Sequence, residues 1–143
     1  MKKVLITGAN GFLGSNLARE LFRSGYDIRV FVRPEADLST ITDIPFGLCY
    51  GHIHDAEDVL EAVSGCDIVV HAAAVTDQWG IGFEQYEKIN VEGTKNIADA
   101  VLQCGIEKLI YVSTANTIEP GSKDKPGTEL NGFTLFSANS GYI

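Results

Sequence analysis

Val4-Leu5-Ile6-Thr7-Gly8-Ala9-Asn10-Gly11-Phe12-Leu13-Gly14 stands at the start of the chain and decides how the rest is read. Val4-Leu5-Ile6 is an unbroken apolar run ended by a glycine, the pattern of a strand buried on both faces of a parallel sheet. Beyond the glycines, apolar residues recur at Leu17, Ala18, Leu21 and Phe22, which predicts a helix over residues 15–24 with Gly25 as its stop. Glycines between such a strand and such a helix have a physical use. Gly8 and Gly11 let the backbone turn tightly and approach an anion with no Cβ in the way, and Gly14 lets the helix pack closely on the sheet. The free N–H groups at the helix start, with the helix dipole behind them, then face the pyrophosphate of a dinucleotide. The bland alternative is a tight turn with no ligand. Further strand–helix units downstream favour the ligand.

Those units follow in order. Ile28-Arg29-Val30-Phe31-Val32 is a second strand, closed by Arg33-Pro34, and residues 46–50 make a weaker third. Asp55 is placed to cap a helix carrying Val59, Leu60 and Val63, which Gly65 ends. Residues 67–71, with Ile68-Val69-Val70 at their centre, form a fourth strand, residues 83–104 a longer helix ended by Gly105, and residues 108–112 a fifth strand. Strands alternating with helices pair in parallel through right-handed crossovers, so the expected fold is a doubly wound α/β sheet of the Rossmann type. After Ser113 the alternation stops, and residues 118–139 are polar, Gly- and Pro-bearing and aperiodic.

A length of 143 residues provides for one domain, residues 1–143, with a real core and no second. Eleven Lys plus Arg against 19 Asp plus Glu give a net charge of −8, which disfavours nucleic acid and anionic membrane surfaces as partners. The apolar residues before Gly8 are too few for a signal peptide or a membrane span. Cys49, Cys66 and Cys104 are odd in number and form no CxxC pair, so they are expected as small buried thiols in a reducing cytosol, with no metal site. The expected location is cytoplasmic.

Thr7-Gly8-Ala9-Asn10-Gly11-Phe12-Leu13-Gly14 is similar to the glycine motif of the extended short-chain dehydrogenases/reductases, the branch holding epimerases, dehydratases and dihydroflavonol-type reductases. Val32-Arg33-Pro34, His71-Ala72-Ala73-Ala74-Val75, Asn90-Val91-Glu92-Gly93-Thr94-Lys95-Asn96 and Tyr111-Val112-Ser113-Thr114 agree with it, and Ser140-Gly141-Tyr142 resembles the approach to that family's Tyr-x-x-x-Lys. The resemblance implies a nicotinamide dinucleotide held by Gly8, Asn10, Gly11, Phe12, Leu13 and Gly14, by small residues Ala72, Ala73 and Ala74, and by Asn90, Val112 and Ser113. Arg33 ends the second strand where an acid would bond the ribose 2′-OH, and a guanidinium suits a 2′-phosphate, so NADP is favoured with NAD as the alternative. Where such families place an Asp to receive the adenine amino group, this chain has His52, which leaves the Ile53 backbone as the expected contact. Asp55 reads as a helix cap, and His71 as a hydrogen-bonded structural histidine.

For the reacting end the resemblance implies Tyr142 as general acid/base, with a hydroxyl to orient the substrate oxygen and a Lys four residues after the Tyr to lower the phenol's pKa. That Lys falls beyond Ile143. The reductase-like register puts the hydroxyl at Thr114, and the epimerase-like register puts it at Ala115, which has none. Trp79, Gly80 and Gly82 are placed to form a mobile wall of a substrate site or a packed surface loop. The chain reads as the N-terminal part of a longer enzyme, truncated after the fifth strand and without its substrate domain, whose parent is allowed to be a homodimer. The expected activity is hydride transfer between the nicotinamide and a small-molecule ketone or alcohol, with a nucleotide-sugar epimerase or dehydratase as the alternative and a non-catalytic dinucleotide sensor as a third reading.

Overall fold

The computed structural model describes residues 1–77, 79–138, 140, 142 and 143. Five strands, β1 (Lys3–Thr7), β2 (Asp27–Val32), β3 (Gly47–Tyr50), β4 (Ile68–His71) and β5 (Lys108–Tyr111), form one sheet in the order β3-β2-β1-β4-β5. Every pair is parallel. The chain winds outward from β1 to β3, returns to β4 beside β1, and winds the other way to β5. This is the doubly wound order expected from the sequence. Its reversal opens a crevice at the C-terminal ends of β1 and β4, the switch point at which such sheets take ligands.

Helices α1 (Phe12–Arg23), α2 (Ala56–Val63), α3 (Phe83–Tyr86) and α4 (Gly93–Gln103) make the connections. α1 starts at Phe12, not at residue 15, because the Gly11 carbonyl already accepts the Ser15 N–H at 3.0 Å. The long helix read over residues 83–104 is interrupted: residues Glu87–Glu92 form a π-helical turn between α3 and α4. Within that turn Asn90 reaches out to the backbone of Val75, donating from Nδ2 to its carbonyl at 2.9 Å and accepting its N–H on Oδ1 at 2.8 Å. A π turn accommodates a side chain drawn away for such a task.

The pleat of β1 sorts the core into two layers. Val4 and Ile6 face α1 together with Ile28, Val30, Val70, Ala18 and Ile41, while Leu5 faces α2 and α4 with Phe31, Val69, Val59, Val63, Ile97 and Val101. Asp55 caps α2 as read, accepting the Glu57 and Asp58 N–H groups at 2.9 and 3.2 Å. At the other end of α2, Arg29 from β2 donates to the carbonyls of Ala62 and Ser64. Burial expected of all three thiols is met at Cys66, which burial pushes up in pKa; Cys49 and Cys104 are half-buried, and all three are free. All four residues of β5 are exposed. Among the described residues no helix is long and apolar enough to cross a membrane.

Candidate functional site

The glycines of the first turn divide their labour. Gly8 leaves β1 with φ +68°, where a side chain is strained, and a Cβ on it would stand 2.8 Å from the Ala73 nitrogen. It is glycine because the chain leaving β1 passes hard against the chain leaving β4. Gly14 is buried under the loop, where a Cβ would overlap the Gly8 carbonyl and come 2.8 Å from the Ala9 Cα. It therefore seats α1 against the turn, where the sequence reading had it packing on the sheet. Gly11 differs, since a Cβ there would meet only the Gly8 oxygen, at 3.3 Å. Gly11 lines an open cleft instead.

Gly11 is also the N-cap of α1, with extended backbone, no side-chain cap and no acidic residue in the first turn. The first N–H groups of a helix have no acceptor inside it, so those of Phe12, Leu13 and Gly14 remain for a ligand. Phe12 and Leu13 contribute backbone at most, because their side chains are 90% and 50% exposed and neither lines the cleft.

The cleft holds about 350 Å³, the low end of the volume usual for ligand sites. Thr7, Gly8, Asn10 and Gly11 form one side, with Phe31, Val32 and Arg33 at the tip of β2 and Gly51, His52, Ile53 and His54 beyond β3. Ala72, Ala73, Ala74 and Val75 form the facing wall, and Asp77, Ile81, Gln85 and Ile89 close the far end.

Each segment is locked by bonds of its own. The Gly51 N–H donates to the Val32 carbonyl at 3.0 Å, which ties the tips of β2 and β3 and sets Arg33 beside the residues following β3. Asp58 accepts the His52 N–H at 2.8 Å. Ile53 is buried, and Asn96 donates to its carbonyl at 3.2 Å. The His52 and His54 rings lie 5.2 Å apart, and burial, then the nearby Lys88 and His52, push the His54 pKa down. Arg33 is exposed, and its guanidinium makes no ion pair among the described residues.

Of the residues assigned from the sequence, the cleft thus gathers Gly8, Asn10, Gly11, Arg33, Ile53, Ala72, Ala73 and Ala74. Asn90 stands behind the wall and holds Val75. Val112, Ser113 and Thr114 follow β5 and do not line the cleft, and the Thr114 hydroxyl caps a short turn by accepting the Asn116 N–H at 3.3 Å. Tyr142 is half-buried and does not line the cleft, and Gly141 of its motif lies outside the described residues. Trp79 is 89% exposed while Ile81 supplies the lining from that loop.

Sequence reasoning missed Thr7, His54 and Thr94. Thr7 was visible as the hydroxyl inside the glycine motif, whereas nothing local marks Thr94, whose partner lies 23 residues away. His71 is the structural histidine expected: 1% exposed, bonded at both ring nitrogens, and pushed down to about 4 by burial.

An uncapped helix start after a glycine turn, an exposed cation at the tip of β2 and a cleft at the switch point define a nucleotide-binding domain of the Rossmann class. More particularly, the chain belongs to the 3-beta hydroxysteroid dehydrogenase/isomerase family, whose model matches residues 5–132. It is 33% identical over 138 residues to a 3-beta-hydroxysteroid dehydrogenase of Mycolicibacterium neoaurum, covering 92% of this chain and 37% of that protein. It is 37% identical over 115 residues to a 2-alkyl-3-oxoalkanoate reductase of Stenotrophomonas maltophilia, covering 78% of this chain and 33% of that protein. Among solved structures, a uronate dehydrogenase from Agrobacterium tumefaciens in complex with NAD superposes with a TM-score of 0.68 at 28% identity, over 82% of this chain and 43% of that one. The chain therefore spans well under half the length of these relatives. The resemblance to extended short-chain dehydrogenases/reductases holds.

Proposed function

We propose that residues 1–143 are the dinucleotide-binding domain of an oxidoreductase that transfers a hydride between a nicotinamide cofactor and a ketone or alcohol, NADP being preferred to NAD. The observation that carries this is the opening beside Gly11. There the N–H groups at the start of α1 meet a space that a side chain would fill, with Arg33, which makes no ion pair among the described residues, at the tip of β2. The chain's residues fit the group: the helix start takes a pyrophosphate, Arg33 takes a 2′-phosphate, and the apolar wall of Ala72, Ala73 and Ala74 admits close approach of a sugar. The bound dinucleotide supplies the hydride carrier. Tyr142 as acid/base and Thr114 as the orienting hydroxyl are proposed on the resemblance alone, and the cytoplasmic location is proposed from the free cysteines.

Calorimetry of the purified chain tests the reading. Wild type is expected to bind NADP(H), Gly11→Val to lose that binding while keeping its fold, and Arg33→Ala to narrow the NADP-to-NAD affinity ratio about tenfold, since an exposed charge-assisted pair stands at the low end of its range. Equal affinity in Gly11→Val would remove the glycine turn from the site, and an unchanged ratio in Arg33→Ala would give the preference another origin.

A further inference from the structure

We infer that His71 and Thr94 are positioning residues of the cleft, holding the wall of residues 72–75 against the glycine turn through a single directed relay of hydrogen bonds. What the wall faces rests on the dinucleotide reading above; the relay itself does not. The Thr7 hydroxyl accepts the N–H groups of Ala72 at 3.2 Å and Ala73 at 3.1 Å, which occupies both of its lone pairs. Its own proton is therefore given to the Nδ1 of His71, 2.8 Å away. With Nδ1 accepting, the neutral ring carries its proton on Nε2 and donates it to the Thr94 hydroxyl at 3.0 Å. Thr94 in turn donates to the Asn90 carbonyl at 2.7 Å. Asn90 closes the path by gripping both backbone groups of Val75.

Each group in this path has one direction open to it. β1, β4 and the start of α4 are joined by a line in which no side chain is charged. The groups facing the ring are Thr7 from β1, Thr94 from α4 and Tyr111 from β5, whose ring centroid lies 5.5 Å from that of His71. Burial alone depresses the pKa of His71, which keeps the ring in the neutral form that the relay needs. Of the four wall residues, only Ala74 has an N–H that makes no bond to Thr7 or Asn90. A histidine that merely filled volume would tolerate either ring proton and would not fix which wall amides face inward.

The experiment compares Thr94→Val, which keeps the shape and removes the hydroxyl, with Thr94→Ser, which restores it. Amide exchange is expected to accelerate at Ala72, Ala73 and Val75 in Thr94→Val while the rest of β4 keeps its protection, and NADP(H) affinity is expected to fall about tenfold. Thr94→Ser is expected to recover both. Nitrogen NMR of the wild-type imidazole is expected to place the proton of His71 on Nε2 between pH 5 and 8. Unchanged exchange and affinity in Thr94→Val, or a proton on Nδ1, would overturn the relay. Should Thr94→Val fail to fold, the wild-type tautomer decides. Should wild type bind no dinucleotide, the functional reading fails, and exchange with tautomer still decides the relay.

Discussion

Gly11 and Gly14 belong to one motif and answer different demands of space within this molecule: one lines the open cleft, the other leaves room for a carbonyl. Gly14→Ala is expected to cost about 2–3 kcal/mol, because the Gly8 carbonyl that its Cβ meets is backbone and cannot rotate away. Gly11→Ala, with only the Gly8 oxygen at 3.3 Å, is expected to keep most of its stability and lose dinucleotide affinity. Urea unfolding of the two variants beside calorimetry separates these roles, and a large stability loss in Gly11→Ala would contradict the division. His71 yields a second expectation at this scale. Its folded-state pKa is about 4 against an ordinary 6.5, so below pH 6.5 the unfolded chain binds a proton that the folded chain refuses. Stability therefore falls as pH drops from 6.5 to 4 and this loss levels off below 4, reaching about 3 kcal/mol. Urea midpoints at pH 7 and pH 4 should show this step in wild type and not in His71→Asn.

Among the elements, β1 and β4 were legible because a strand buried on both faces is written as an unbroken apolar run, as Val4-Leu5-Ile6 and Ile68-Val69-Val70 are. α2 was legible through Asp55 and Gly65, whose capping chemistry is local. The π turn at Glu87–Glu92 was not. Its cause is the pairing of Asn90 with Val75, 15 residues back, and no periodicity in residues 83–104 reports a partner outside them. The stretch Asn90 to Asn96 repays closer reading: Asn90 holds Val75, Thr94 meets His71, and Asn96 holds the Ile53 carbonyl, while a Cβ on Gly93 would press into the Ile53 side chain at 2.7 Å. What read as a family motif is thus the back support of the cleft. Two acids at the start of α2 can be separated by experiment. Asp55→Ala removes the cap and is expected to lower stability by about 1 kcal/mol. Asp58→Ala frees the His52 N–H and is expected to weaken dinucleotide binding more than it lowers stability, as thermal melts with and without NADP would show.

At the scale of the whole molecule, strand order places the glycine turn, Arg33, the residues after β3 and the wall after β4 at one end of the sheet. That convergence was readable from the alternation of strands and helices. The proposed reacting end was not: Thr114 and Tyr142 stand in a stretch after β5 that carries no periodicity, and neither lines the cleft. Among the cleft-lining residues Arg33, His52, His54 and Asp77 are the side chains that bear charge or titrate, and no tyrosine is present. The chain of 143 residues is accordingly expected to bind the dinucleotide and to show no turnover when nicotinamide absorbance is followed with a panel of ketones and alcohols. Measurable turnover would place the acid/base among the residues that line the cleft.

The most direct test of the central claim, that a nicotinamide dinucleotide occupies the crevice between β1 and β4, is a nitrogen–proton NMR titration of the labelled chain with NADP(H). Saturable shifts are expected at the amides of residues 8–14, at Arg33, at residues 51–54 and at residues 72–75, with NAD(H) reproducing them more weakly and least at Arg33. Shifts confined to the exposed face of β5, or no shift at millimolar ligand, would contradict it.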